Sequence, residues 1–374
     1  MTMTLPICEY FESQADNALC LLTELAQIPA PSNQEELRAE FCLNWLRSQG
    51  AENAYIDEAL NVIYPIGDDG GNDLMVFMAH SDVVFPDTTP LPLKIENGRI
   101  YCPGVGDDTA NAVALMTTAG YIAREKLMPK GCGVLLVINS GEEGLGNLKG
   151  SRKIIADFGH RVKEFVTFDG NANVVVTKAV GSRRYRVSVT TEGGHSYARF
   201  GAPNAIAQLS QIISRLYEIT VPDIGRTTYN VGTISGGTSV NTIAQNAEML
   251  FEFRSDEREG LSIMQAHFDR IVEEFRSNGV QIQTEVVGDR PCGLDVDNSA
   301  LADRAAAAVQ AHYGLAPHFG VGSTDCNVPL SMGISAICPG CVMGWGAHTR
   351  EEYVEIDSLL PGLKVAAELI LHHF

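Results

Sequence analysis

The sequence predicts an α/β fold in which a mixed-sheet domain is interrupted by an inserted α+β domain of ferredoxin-like order. Three observations predict it. The chain has 374 residues, more than a single core of about 250–300 residues usually fills. Up to about residue 180, short apolar runs alternate with segments of helical periodicity, as in a sheet covered by helices. Between 182 and 289 the pattern becomes β-α-β-β-α-β, a self-contained unit in mid-chain. The expected limits are therefore 1–181 and 290–374 for the two parts of the first domain and 182–289 for the insertion.

In chain order, residues 16–28 (DNALCLLTELAQI) carry apolar side chains at helical spacing and stop at Pro29. Ser32 and Glu35 then have the spacing of a capping box for a second helix. LMVFMA runs into His80, VLLVIN into Ser140 to Glu143, EFVTF into Asp169, and ISAIC leads toward His348. In open α/β sheets, ligands bind beyond the carboxyl ends of the strands, so these side chains could converge on one site. In the insertion, RYRVSVTT alternates, PNAIAQLSQIISRLYEI is helical, TTYNVGTIS and AEMLFEF are extended, LSIMQAHFDRIVEEF is helical and VQIQTEVV is extended. From Asn298, a helical run (LADRAAAAVQAHYG) and a final helix (LLPGLKVAAELILHHF) are expected to return to the first sheet.

Composition excludes several functions. With 46 acidic and 27 basic side chains, the formal charge is -19, which repels phosphate backbones and anionic membranes. Neither nucleic acid nor a membrane is an expected partner. The N-terminal MTMTLPICEYFESQADN has neither the basic start nor the apolar run of a signal peptide. A cytoplasmic location is expected. Nine scattered cysteines read as reduced, mostly buried side chains. Cys338 and Cys341, in CPGC, have redox or zinc spacing, but no second such pair accompanies them and a tight turn is expected.

The chemistry-bearing residues cluster in short motifs. His80-Ser81-Asp82 follows a buried-strand run; a carboxylate two residues on can fix the tautomer of a ligating histidine. Gly104-Val105-Gly106-Asp107-Asp108-Thr109 opens a helical pattern. It lacks the GK[ST] ending of a phosphate loop and places two acids where a phosphate would sit, so it suits a cation. Asp107 or Asp108 could equally cap the helix. Ser140-Gly141-Glu142-Glu143-Gly144 puts adjacent carboxylates beyond another apolar run, and Phe168-Asp169-Gly170 repeats the arrangement. Unpaired carboxylates near a core are costly. Three of them, Asp107, Glu143 and Asp169, with two neutral imidazoles from His80 and His348, form an N/O donor set suited to two zinc ions. Glu142 is then left over as a general base.

The ordered series LLTELAQIPAPSNQEE, HSD, GVGDD, SGEEG, FDG, GGHS and GAHTREE resembles the co-catalytic di-zinc peptidases and deacylases, among them peptidase T, carboxypeptidase G, acetylornithine deacetylase, succinyl-diaminopimelate desuccinylase and aminoacylase. The resemblance is nearest to the peptidase T-like branch and spans almost the whole chain. It implies a zinc-peptidase catalytic domain with an inserted dimerisation or lid domain. By matching motif, it implies that His80 and Asp169 hold one metal, Glu143 and His348 the other, and Asp107 bridges them. Asp82 would support His80, Glu142 would be the base, and the Asp107–Asp108 peptide bond would be cis. Zinc is the expected metal, with cobalt or manganese as alternatives.

The same resemblance implies that His195, in GGHS, reaches the partner subunit's active site in a homodimer and stabilises an oxyanion. Asn241, in SGGTSVN, and Arg254, in FEFRSDE, match positions at which relatives contact substrate, as does the neighbourhood of the glycine-rich loop GVGSTDCN (Gly320 to Asn327). An arginine can grip a substrate carboxylate with paired hydrogen bonds, with a surface or interdomain salt bridge as the alternative role for Arg254. Aspartate in FDG resembles the peptidases rather than the deacylases, so a di- or tripeptide aminopeptidase is expected. An N-acyl amino acid deacylase is the alternative, and a catalytically silent metal-dependent binding module is a third. The sequence departs from many relatives in DDT, where they have DDK or DMK, and in GAHTREE. Both departures bear on subfamily rather than chemistry.

Overall fold

A computed structural model describes residues 3–374. The chain divides into two compact units. One comprises the chain up to Ala179 together with Leu294–Phe374, and the other is Val180–Gly293.

In the first unit, apolar runs build an eight-stranded mixed sheet. Its order is Tyr55–Ile56, Val62–Ile66, Gly133–Asn139, Leu74–His80, Val162–Thr167, Ser335–Pro339, Val174–Ala179 and His318–Gly322. The four central strands run parallel because helices Ala110–Glu125 and Lys149–Phe158 make the crossovers between them. Their near-continuous hydrophobicity reflects burial on both faces. Phe77, Leu136 and Val166 face one core; Val76, Met78, Leu135 and Phe165 face the other. Full burial of each such side chain contributes about 1.5–3 kcal/mol. The carboxyl ends of the parallel strands consequently open on a single edge.

The second unit has strands in the order Thr227–Gly236, Asn246–Ser255, Gly181–Thr190, Gln281–Arg290, all antiparallel. With helices Ala205–Leu216 and Arg258–Ser277, this is the ferredoxin-like β-α-β-β-α-β succession. Alternation puts Val187, Met249, Phe251 and Phe253 under the helices, where Tyr185 stacks on Phe268 with ring centroids 4.2 Å apart.

Three local expectations are corrected. Ser32 does not form a capping box. Its hydroxyl donates to the Asp82 carboxylate (2.7 Å) and the Glu143 carbonyl, while buried Glu35 stands at the helix N-cap, accepts the Asn33 N–H and pairs with Lys149. A charged site within reach outcompetes the local cap. The segment GVGSTDCN is not all loop either: Gly320 to Gly322 belong to the outer strand His318–Gly322, and a short helix starts at Asn327. Cys338 lies within the strand Ser335–Pro339 rather than forming a turn with Cys341; both thiols are buried and free.

Candidate metal centre

Three of the parallel strands deliver their chemistry at or just past their last residue. His80 ends one strand, and Glu142 and Glu143 follow Asn139 on the next. The turn between is possible because Gly141 has a left-handed φ of 65° and touches Gly146, where an added Cβ would lie 2.5 Å from the Gly141 Cα. Asp169 lies two residues beyond Thr167, its N–H bonded to the Pro339 carbonyl. His348 itself adopts a left-handed φ of 66°, a conformation uncommon outside glycine.

Asp107 lies between the two imidazoles. Its Oδ1 is 3.1 Å from His80 Nε2 and its Oδ2 is 3.1 Å from His348 Nε2. His348 Nε2 is also 3.1 Å from Glu143 Oε1. The donor atoms of His80, Asp107 and Glu143 form one tight group, and those of His80, Asp108 and Asp169 another. The Asp107–Asp108 peptide bond is cis.

The surrounding groups fix this arrangement. Asp82 accepts the N–H groups of both Glu142 and Glu143 (2.9 Å each). Its backbone carbonyl, at 3.0 Å, is nearer to His80 Nδ1 than its carboxylate, at 3.6 Å. Asp108 accepts the His80 N–H and the Asn111 amide. Glu352 accepts the N–H groups of Gly104, Gly106 and Asp107 at 2.7–2.8 Å. Asn139 donates to buried Asp325 at 2.6 Å. Glu352, Asp108 and Asp325 were not singled out from sequence as site residues. All three lie in motifs that the sequence offered: Glu352 in GAHTREE, Asp108 in GVGDD and Asp325 in GVGSTDCN.

Electrostatics follow from crowding acids in a buried space. Burial first, then the charges of Asp107 and Glu142, push Glu143 up to about 7 against the hydrogen bond to His348. Burial and the neighbouring Asp107 likewise raise Asp169. Asp107 is the exception: burial would raise it, but hydrogen bonds to His348 and His80 hold it well below the usual range. Those to Asp107 and Glu143 push His348 up to about 10. Acids that retain protons beside imidazoles that gain them mark an excess of negative charge that divalent cations can neutralise. Oxygen and imidazole donors in this number fit zinc, cobalt or manganese.

The remaining candidates lie in the second unit. Exposed His195 pairs across a short ladder with Thr242, and the Ser196 N–H donates to the Asn241 carbonyl, so His195 and Asn241 are neighbours. Arg254 is not with them. It lies at the other end of the sheet, opposite Ser182 and Thr228, and makes two hydrogen bonds to Glu252 at 2.9 and 3.0 Å.

A mixed sheet carrying imidazole and carboxylate donors at its carboxyl edge defines the class, a metallohydrolase of α/β architecture. The sequence profile of peptidase family M20/M25/M40 matches residues 76–372, and the chain belongs to that family, whose members cleave peptide or amide bonds. It is similar to a tripeptidase from Staphylococcus aureus, with 21% identity, a TM-score of 0.76 and coverage of 95% of this chain and 97% of that one. It is also similar to a dinuclear metal-binding M20 peptidase of Bacillus subtilis, with 18% identity, a TM-score of 0.64 and coverage of 96% and 98%. Acetylornithine deacetylase of Myxococcus xanthus is 24% identical over 344 residues, 87% of each chain. Among the described residues, no helix is long and apolar enough to cross a membrane.

Proposed function

We propose that the chain is a di- or tripeptide aminopeptidase that works with two divalent ions, zinc first, held by His80, Asp107, Glu143, Asp169 and His348. One observation carries the metal centre: the Asp107 carboxylate spans His80 and His348, one oxygen 3.1 Å from each imidazole. Bound there, the ions would polarise the scissile carbonyl and acidify the attacking water.

Glu142 is buried, backbone-anchored to Asp82, and close enough to Glu143, Asp169 and Asp325 to raise all three. It is our candidate to take the proton from the attacking water and return it to the leaving amine. Asp82 acts at one remove, holding the Glu142–Glu143 backbone and receiving His80. Glu352 positions Asp107 through three backbone hydrogen bonds.

His195 is assigned to the oxyanion, offered from a second copy of the chain. The strand Thr227–Gly236 supports a homodimer: it is the outer strand of its sheet and is largely exposed, with Ile234 at 55%. Such an edge offers unpaired peptide groups to another copy. Asn241, beside His195, is retained as a substrate contact. Arg254 would have to leave Glu252 to serve as one. Nine free cysteines suit a reducing, cytoplasmic compartment.

Likeness to the staphylococcal tripeptidase and the aspartate at position 169 favour peptides. The likeness to acetylornithine deacetylase keeps N-acyl amino acids as the second reading. Turnover of matched peptide and N-acyl panels by the zinc-loaded enzyme decides: at least a hundred-fold preference in kcat/KM for peptides supports the first, and the reverse preference replaces it.

A further inference from the structure

Next to the carboxylate cage is a cavity of about 170 Å³ whose walls include Asp107, Gly170, Asn171, Trp345, Ala347 and Tyr353. Asp107 belongs to the cage, and Gly170 and Ala347 are the chain neighbours of Asp169 and His348. Of the cage residues, Asp107 lines this cavity, so a group in it would lie beside the Asp107 end of the cage. Whole small-molecule ligands occupy about 300–1,000 Å³, so this space takes one side chain or a short acyl group.

Its polar walls are already engaged. The Asn171 amide donates to the Gly344 carbonyl (3.1 Å) and accepts the Gly344 N–H (2.8 Å). Glu352, which also lines it, accepts three backbone N–H groups. Trp345 and Tyr353 face each other across a two-residue antiparallel ladder, so their rings leave the same face. Trp345 is 67% exposed, a large apolar surface at the mouth of a polar site.

Charge selects further. The ionisable walls are two acids, Asp107 and Glu352, and no lysine or arginine lines the cavity. Nearby Arg350 is bound to Asp87, and Arg99 to Glu355. With no cationic side chain in the walls to pair with it, a carboxylate-bearing group would be desolvated there uncompensated, which is costly. We propose that Trp345 and Tyr353 form the specificity pocket for an uncharged, apolar substituent next to the scissile bond, and that the pocket rejects acidic groups of the succinyl type. This deepens the hydrolase reading above and rests on it.

The chain has two tryptophans, Trp45 and Trp345, so W45F leaves Trp345 as the sole indole reporter. Zinc-loaded W45F is titrated with L-leucine and with succinate while its emission is followed. Leucine is expected to give a saturable blue shift, and succinate none at ten times the concentration. If W45F fails to fold, the difference between wild-type and W345F spectra carries the same signal. In parallel, W345A is expected to lower the ratio of kcat/KM for leucyl over glycyl substrates about ten-fold. Equal response to succinate, an unresponsive Trp345, or an unchanged leucyl-to-glycyl ratio overturns the pocket. If the wild type cleaves neither peptides nor N-acyl amino acids, the hydrolase reading fails, while the fluorescence titration still decides what the pocket binds.

Discussion

Asp82 shows how much of this site is held by groups that touch no metal. Its carboxylate fixes the backbone of Glu142 and Glu143 and takes the Ser32 hydroxyl. Asp82→Asn is expected to weaken zinc binding about 10–100-fold, measured by competition with a chromogenic chelator; unchanged affinity would remove it from the site. Glu352→Gln is expected to act in the same direction, because one carboxylate now satisfies three N–H groups around Asp107, and restoring the acid should restore affinity. At this scale the sequence was legible where a motif carries its own chemistry: His80, Asp107, Glu143 and His348 stand together in space as their motifs suggested. The parts played by Glu352, Asp108 and Asp325 were hidden because their work is done on residues far along the chain, or on backbone N–H groups that have no letter in the sequence. Asn139 and Asp325, 186 positions apart, are an example.

Secondary-structure elements were easier to read, since a buried strand must be apolar along its length and a helix must repeat its apolar face. The runs ending at His80, Asn139 and Thr167 appear as strands, and the β-α-β-β-α-β order of the second unit follows its alternation. What locks elements together was less visible. Arg38, fully buried on its helix, donates to the carbonyls of Ile28, Ser81 and Ala26 and to the Thr109 hydroxyl, tying the first helices to the strand end at His80. Burial lowers its pKa to about 10. Arg38→Met leaves these acceptors unpaired and is expected to cost about 3 kcal/mol or more in urea unfolding; a loss below about 1 kcal/mol would contradict the role assigned to it.

A second tie, between Arg161 and Asp68 at 2.7 Å, makes stability depend on pH. The hydrogen bond from Arg161 outweighs burial and holds Asp68 below its ordinary 3.8. The folded state thus binds this proton more weakly than the unfolded chain does. The contribution, about 1 kcal/mol, is present above pH 3.8 and is lost as pH falls through the depressed folded value. The stability difference between wild type and Asp68→Asn should shrink correspondingly on acidification, and a difference that grows would reverse the assignment.

For the whole molecule, fold class was legible because two periodicities occupy two stretches of chain, whereas assembly was not, since an edge strand reads like any other half-buried strand. Light scattering should give twice the 40.4 kDa chain mass. Ile234→Lys on the outer strand is expected to yield monomers with diminished turnover, while a wild-type monomer of full activity would end the proposal for His195. The central claim is tested most directly by metal content and turnover measured together in wild type and Glu142→Ala. The account predicts about two zinc ions per chain in both proteins, with hydrolysis in the wild type and a loss of 10²–10⁴-fold or more in the variant. A wild type that cleaves substrate without bound metal, or a variant that keeps full activity, would contradict it.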